Sequence, residues 1–172
     1  VEIRPSRTAG YGLFATRPIE EGELVWQGNR DEPLVHRSTL ATMTPEQIDR
    51  FQHFACQIDD DWYAVPPPGA DPEPADYMNH SCDPTVWYLD AWTMVARRRI
   101  EAGQEITYDY ATSESSPEFK LDPCCCGASS CRGVVGPTDY VDSPELQARY
   151  GEHVLTYLRK RAAAQASTPT PA

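Results

Sequence analysis

The side chains best suited to chemistry stand together in residues 76–84, in the run DYMNHSCDP. Four successive positions there, 79–82, carry an amide, an imidazole, a hydroxyl and a thiol. An apolar pair precedes them and Pro84 follows, which predicts a shaped loop rather than regular structure. Because polar side chains at this density seldom build a core, we expect the loop to serve a functional site.

A second polar and aromatic stretch, GQEITYDY, occupies residues 103–110. Tyr108 and Tyr110 stand at alternate positions, so a strand would present both rings on one face. Two readings are open for the pair, a catalytic role and a purely packing role.

The third stretch carries most of the cysteine, in the pattern C-C-C-x4-C over residues 124–131. These cysteines are too crowded for ordinary disulfide geometry, so ligation of zinc by thiolates in a reducing compartment explains them better. Cys124, Cys126 and Cys131 supply three ligands, and a fourth must come from elsewhere. Cys125 is the spare, although the spacing alone allows it to exchange with Cys124. Three coincidental buried cysteines are the alternative.

Together the three stretches resemble the SET-domain protein-lysine methyltransferases. The resemblance rests on the Asn-His-Ser-Cys motif, the Gly-x-Glu-Ile-Thr-Tyr-Asp-Tyr motif and a cysteine cluster of the type called post-SET. It implies a mainly β fold with few helices, in which short strands form small curved sheets and a C-terminal segment is threaded beneath a loop. It also implies one structural zinc ion, with Cys82 as the fourth ligand.

The resemblance further implies the roles of the two tyrosines. Tyr110 corresponds to the tyrosine that borders both the cofactor and the reacting amine, which its hydroxyl can orient. Tyr108 corresponds to the position that adjusts how many methyl groups fit, and its hydroxyl predicts mono- or dimethylation. Trp62 and Tyr63 stand where relatives wall the lysine channel with aromatic side chains, although core packing explains them equally well.

The cofactor that the resemblance implies is S-adenosylmethionine. Gly10, Tyr11 and Gly12 form a Gly-aromatic-Gly turn of the kind that contacts it through the backbone. Asn79 would contribute its amide and His80 chiefly its backbone. We expect the His80 ring itself to be a hydrogen-bonded structural group, since a lone histidine in a loop seldom acts as a base.

Composition limits the partners. The 172 residues carry a net charge of −11, which repels nucleic acid and anionic membranes and favours a basic protein or peptide that presents lysine. A histone-like, DNA-compacting or ribosomal protein would fit. Sixteen prolines and 40% hydrophobic residues predict many loops and short strands. No apolar run is long enough for a membrane span, so we expect a soluble intracellular protein, cytoplasmic or, in a eukaryote, nuclear.

The resemblance, together with the composition of the C-terminal residues, implies four parts of the chain. We expect a SET domain over residues 1–111, a zinc segment over 112–135, a helical extension over 136–161 and a disordered tail over 162–172. The polar residues 112–122 predict a mobile connection to the cysteines. The compact, Ala-, Pro- and Arg-rich chain favours a prokaryotic, stand-alone branch of the family.

Two helices have clear start signals. Thr44 and Pro45 predict the first helix, which we expect to end near Cys56. Ser143 and Pro144 predict a C-terminal helix that is bent or broken near Gly151.

Two functions from different classes follow. The leading one is transfer of a methyl group from S-adenosylmethionine to the side-chain amine of a protein lysine. The alternative is a catalytically silent, zinc-stabilised binding module that keeps the shape without turnover.

Overall fold

The computed structural model describes residues 1–67 and 69–167, and within them the expected mainly β architecture with few helices is confirmed. The strands are β1 (Glu2–Pro5), β2 (Tyr11–Phe14), β3 (Leu24–Gln27), β4 (Leu34–His36), β5 (Cys56–Asp59), β6 (Trp62–Ala64), β7 (Asn79–His80), β8 (Val86–Asp90), β9 (Thr93–Ala96) and β10 (Glu105–Tyr108). The α-helices are α1 (Pro45–Phe54), α2 (Asp139–Asp142), α3 (Pro144–Tyr150) and α4 (Thr156–Ala166). Short 3₁₀ helices span Arg37–Thr42, Pro74–Tyr77 and Tyr110–Thr112.

The strands form three small sheets. One has the order β1-β2-β10-β7, and the other two have the orders β3-β9-β8 and β4-β6-β5. Most pairs are antiparallel, but β7 runs parallel to β10. This parallel pairing brings two segments that are distant in sequence side by side.

Helix α1 begins where its sequence signals predict. The Thr44 hydroxyl accepts a hydrogen bond from the Gln47 N–H at 3.3 Å, and the Gln47 side chain accepts one from the Thr44 N–H at 2.8 Å. This reciprocal cap, with Pro45 in the first turn, satisfies backbone donors that would otherwise lack partners. The helix ends at Phe54, just before β5 begins.

The core joins the sheets to the C-terminal helices. Leu13 of β2, Ile106 of β10 and Val86 of β8 are fully buried, and they share one apolar cluster with Tyr157 and Leu158 of α4. The extension after the cysteines is therefore part of the core rather than an appendage.

The predicted C-terminal helix is broken as expected, into α3 and α4. Gly151 has a φ of +53°, a conformation that glycine tolerates at a helix end. The expected tail is wrong over residues 162–166, because α4 continues to Ala166 and buries Ala162 against the core. Residues 168–172 of the predicted tail lie outside the described residues.

Residues 112–115 do not form the mobile connection that their polarity predicted. Thr112, Ser113 and Ser115 are buried. Both the N–H and the hydroxyl of Ser115 donate to the buried Gln57 side chain of β5, at 3.1 Å each. Because these polar groups are hydrogen-bonded to each other, burying them costs little free energy.

Among the described residues, no helix combines the length and apolar character needed to cross a membrane.

Candidate active site and thiol cluster

Backbone pairing fixes the loop at residues 79–82. Asn79 pairs with Thr107 and His80 with Tyr108 across the parallel β7–β10 pair. The Ser81 N–H then donates to the Tyr108 carbonyl at 3.0 Å. The loop is therefore held beside the two tyrosines by main-chain bonds.

The predicted cofactor residues lie together at one edge of this sheet. The Asn79 amide donates to the Tyr11 carbonyl at 3.0 Å and to the Glu105 carboxylate at 2.8 Å. Gly10 has a φ of +40°, and a side chain at Gly12 would collide with Glu105 and Asn79. The glycines are thus required by the turn and by the close approach of Asn79 and Glu105.

The His80 ring is buried. Its Nδ1 accepts the Tyr110 N–H at 3.2 Å, and its Nε2 lies 3.3 Å from the Cys82 sulfur. Burial lowers the pKa of His80 to about 4, so the ring is neutral. Since Nδ1 is an acceptor, the proton sits on Nε2 and is donated to Cys82.

Tyr108 ends β10 and Tyr110 opens the 3₁₀ helix that follows, so the two tyrosines are not on one strand as predicted. Their rings nevertheless lie 4.8 Å apart and are tilted by 46°. The Tyr110 hydroxyl donates to the Met78 carbonyl at 3.1 Å. Burial, and after it the charge of Glu114, raises the pKa of Tyr110 to about 12, and burial also raises that of Tyr108. Both are neutral phenols at physiological pH.

The two tyrosines line a cavity of about 610 Å³. Aromatic side chains from five other segments share its wall, namely Trp26, Phe51, Phe54, Tyr63, Tyr88 and Phe119. Tyr63 is therefore at the cavity, as one of its two predicted roles requires. Trp62 does not line it, and packs its ring against His36 instead.

Acidic side chains also line the cavity, and the sequence analysis did not single them out. They are Glu32, Asp71, Glu73, Asp76, Glu114 and Glu118. Their positions in three separate loops gave no pattern in the sequence. Net charge was the only available signal.

The predicted zinc ligands converge on the loop. The ligand atoms of His80, Cys82, Cys124 and Cys126 all lie within 4.8 Å of one another. The Cys82 and Cys124 sulfurs are 4.0 Å apart, and the Cys82 N–H donates to the Cys126 sulfur. Soft donors at this density suit zinc.

Cys131 lies at the margin of this cluster, and His80 takes its place among the four closest groups. The Cys131 thiol donates to the Cys124 carbonyl at 3.4 Å and lies within hydrogen-bonding reach of the Cys124 and Cys126 thiols. Cys125 is exposed and directs its thiol toward the Pro123 carbonyl, outside the cluster.

A buried ion pair beneath the site was not predicted. Arg132 donates to both oxygens of Asp109 at 2.7 Å, and the Tyr150 hydroxyl of α3 donates to the same carboxylate at 2.8 Å. Burial alone would raise the pKa of Asp109, but Arg132 outweighs it and lowers that pKa. The junction ties the tyrosine motif, the cysteine segment and α3 to one carboxylate.

The family model described as "SET domain" matches residues 10–111. A Candida albicans protein named "Histone-lysine N-methyltransferase, H3 lysine-36 specific" is 25% identical over 156 residues, which are 85% of this chain and 18% of that protein. A Cryptococcus neoformans protein named "Histone-lysine N-methyltransferase, H3 lysine-4 specific" is 32% identical over 145 residues, 77% of this chain and 10% of that protein. The chain thus spans less than a fifth of the length of either relative.

A solved structure described as "crystal structure of KRYPTONITE in complex with mCHG DNA and SAH" superposes with a TM-score of 0.56 at 22% identity. The match covers 77% of this chain and 28% of that chain. At this identity the likeness shows the fold, which agrees with the family match. The expectation of a prokaryotic branch stays a prediction.

Proposed function

Because the chain belongs to the SET-domain family, we propose that it transfers a methyl group from S-adenosylmethionine to the side-chain amine of a protein lysine. The observation that carries the proposal is the position of Tyr110. Its ring lies 5.3 Å from that of His80 and 4.8 Å from that of Tyr108, and it lines the cavity. The ring contact with His80 and the position in the cavity wall support a role for Tyr110 beside both the cofactor and the substrate amine.

In this proposal the cofactor lies against Gly10, Tyr11 and Gly12, with Asn79 contributing its amide and His80 its backbone. Gly12 lies directly against the side chains of Glu105 and Asn79, so any side chain at position 12 would displace the Asn79 amide that this assignment uses. S-adenosylmethionine supplies an electrophilic methyl group when it is bound.

The chain's own residues orient and desolvate the amine. A free lysine amine has a pKa of about 10.4, and desolvation in the cavity favours the neutral form that can accept a methyl group. The Tyr110 hydroxyl donates a hydrogen bond to the Met78 carbonyl. Its oxygen keeps lone pairs that can accept hydrogen bonds from the amine or from the methyl C–H groups. Since Tyr110 is a neutral phenol, its role is to position the amine and not to remove its proton.

Tyr108 is proposed to limit the product to mono- or dimethyl-lysine. Its hydroxyl can hydrogen-bond the amine or hold a water, and either contact opposes the rotation that later transfers need. The edge of Tyr88 packs toward its ring at 6.1 Å and supports that position.

One structural zinc ion is proposed to bind Cys82, Cys124, Cys126 and Cys131. His80 is the nearer neighbour, but its Nδ1 is occupied by Tyr110 and its Nε2 carries the proton, so it suits a donor to sulfur better than a ligand. The zinc would hold the proposed segment 112–135 against the SET domain of residues 1–111. The helices that follow would then complete the core.

The proposed partner is a basic protein or peptide that presents lysine, methylated in the cytoplasm or, in a eukaryote, the nucleus. The net charge of −11 and the acidic side chains around the cavity support a cationic partner over nucleic acid. Histone-like, DNA-compacting and ribosomal proteins present such segments.

The test is transfer of tritium from labelled S-adenosylmethionine to core histones, with mass spectrometry of the products. We expect mono- and dimethyl-lysine from the wild type and at least a tenfold loss of kcat in Tyr110→Phe, because one oriented hydroxyl contributes about this much. Tyr140→Phe, which removes the hydroxyl of a buried α2 residue that does not line the cavity, is the control and should keep wild-type activity.

Binding of labelled cofactor is measured alongside. If the wild type binds cofactor and histones but transfers no label to histones, ribosomal proteins or DNA-compacting proteins, the methyltransferase proposal is wrong. The chain would then be a catalytically silent binding module.

A further inference from the structure

Glu114 is a carboxylate in the cavity wall that the proposed reaction does not use. It follows the 3₁₀ helix of Tyr110, and its backbone N–H donates to the Tyr110 carbonyl at 2.8 Å. Its side chain is partly buried and lines the cavity together with Tyr108 and Tyr110. It therefore borders the cavity that the proposed function assigns to the substrate side chain.

Among the residues whose side chains the structure describes, none donates a hydrogen bond to this carboxylate, no backbone group of these residues does, and no cation among them pairs with it. Burial alone raises the pKa of Glu114 to about 7. Most carboxylates inside a folded protein are paired, as Asp109 is here, so an unpaired one in a cavity indicates a missing cation.

Six groups whose pKa the Glu114 charge raises are neutral at physiological pH. They come from five separate segments, and they are Cys56 of β5, Tyr63 of β6, Tyr88 of β8, Tyr108 and Tyr110 of β10 and its 3₁₀ helix, and Tyr157 of α4. Tyrosine rings and a carboxylate in one cavity wall favour an organic cation, because aromatic rings attract the charge while their apolar carbon accommodates an alkyl chain. An alkylammonium has both properties.

We infer that Glu114 binds the substrate's lysine ammonium inside the cavity and selects that cation over an uncharged side chain of the same length. The inference rests on the proposed function, because it names the group that the cavity receives. Glu114 and the ammonium then form a charge-assisted hydrogen bond in a space walled by tyrosines. The carboxylate acts on recognition, and the later loss of the amine's proton belongs to the transfer step.

The test measures peptide binding without turnover. The probes are two short arginine-rich peptides that differ only in a central lysine or norleucine, measured by fluorescence anisotropy with S-adenosylhomocysteine present. We expect the wild type to prefer the lysine peptide about tenfold and Glu114→Gln to lose this preference. Glu114→Asp, which keeps the charge on a shorter side chain, should retain part of it.

Glu118→Gln is the matched control. Glu118 also lines the cavity, but it is exposed and already paired with Arg37 at 3.2 Å. Its loss should weaken both peptides alike and leave their ratio unchanged. Circular dichroism and zinc content establish that each variant is folded.

The inference is overturned if the wild type shows no lysine preference, or if Glu114→Gln keeps the wild-type ratio. The transfer assay separates this failure from failure of the proposed function. If the wild type prefers the lysine peptide but transfers no methyl group, the inference about Glu114 stands and the proposed methyltransferase activity is wrong. If the wild type methylates histones but Glu114→Gln has the wild-type ratio of peptide affinities, only the inference about Glu114 is wrong. In the transfer assay, Glu114→Gln should raise KM more than it lowers kcat, since a binding contact is removed.

Discussion

Two carboxylates a few residues apart in the chain have opposite environments. Asp109 lies at the junction beneath the site, where Arg132, Tyr150 and the Ala111 N–H all donate to it. Glu114 lies in the cavity wall, where none of the described residues donates to its carboxylate. The pKa of Asp109 is lowered and that of Glu114 is raised. A carboxylate whose oxygens all accept hydrogen bonds from the protein, such as Asp109, stabilises the fold. A carboxylate that lacks such donors and lines a cavity, such as Glu114, is a candidate for binding a ligand.

The Asp109 junction also explains how the cysteine segment can matter to a site that it does not line. Arg132 directly follows Cys131 in sequence, and its backbone N–H donates to the Cys82 sulfur at 3.4 Å. A metal that fixes the cysteines would therefore also fix the guanidinium against Asp109. The site and the thiol cluster are expected to assemble as one unit.

The largest effect is expected when the junction is broken from the cysteine side. Cys126→Ser should lower zinc affinity by at least about a hundredfold and release Arg132 from Asp109, because the thiolate ligands hold this irregular segment. Mass spectrometry of metal content should find about one zinc per wild-type chain and none in the variant. Hydrogen exchange should show loss of protection over residues 124–133.

Cys125→Ser is the control for that variant, since the Cys125 thiol lies outside the cluster. It should retain zinc and protection. Retention of protected amides over the segment in metal-free Cys126→Ser would show that the junction does not depend on the cysteines.

The next largest effect is expected at Asp109 itself. Asp109→Asn leaves the Arg132 charge without its bidentate partner and should lower the free energy of unfolding by about 3 kcal/mol at pH 7. The wild type should lose this advantage in acid, because a carboxylate with a lowered folded-state pKa contributes above its unfolded pKa and stops contributing as pH falls through the folded value. Urea unfolding at several pH values measures both.

Asp83→Asn gives the comparison at the surface. Asp83 is half exposed and pairs with Arg97 at 2.7 Å, so its loss should cost less than about 1 kcal/mol. Equal losses in the two variants would mean that the buried junction is no stronger than a surface pair.

The sequence was sufficient where a motif carries the function, and insufficient where tertiary pairing does. Spacing identified the three cysteines of the C-terminal cluster, and the resemblance to the SET family identified Cys82, Asn79 and the two tyrosines. The structure brings Cys82 beside Cys124 and Cys126, and the rings of the two tyrosines beside each other. Asp109 was visible between the tyrosines, but its partner Arg132 depends on how the cysteine segment folds back. Glu114 stands in a polar stretch that predicted a mobile connection. Its burial depends on strands and a helix that are distant in sequence, so no local pattern could reveal it.

The smallest effect is expected at Glu114, where substitution should raise the free energy of unfolding rather than lower it. Its pKa is about 7 in the folded protein against an ordinary 4.5, so the unfolded chain loses this proton first as pH rises. Ionisation therefore costs stability progressively between these two values, and the full cost is present above pH 7. Glu114→Gln should raise the free energy of unfolding by about 1–3 kcal/mol at pH 8, and by clearly less at pH 5.

Glu118→Gln, which removes a paired and exposed carboxylate of the same segment, should not stabilise the protein at either pH. A gain that is equal at both pH values would indicate better packing of the amide, and a loss at pH 8 would mean that the carboxylate has a partner inside the protein. A gain confined to high pH would show that the folded chain keeps an unpaired charge at a cost in stability, as expected of a side chain retained for binding a cation.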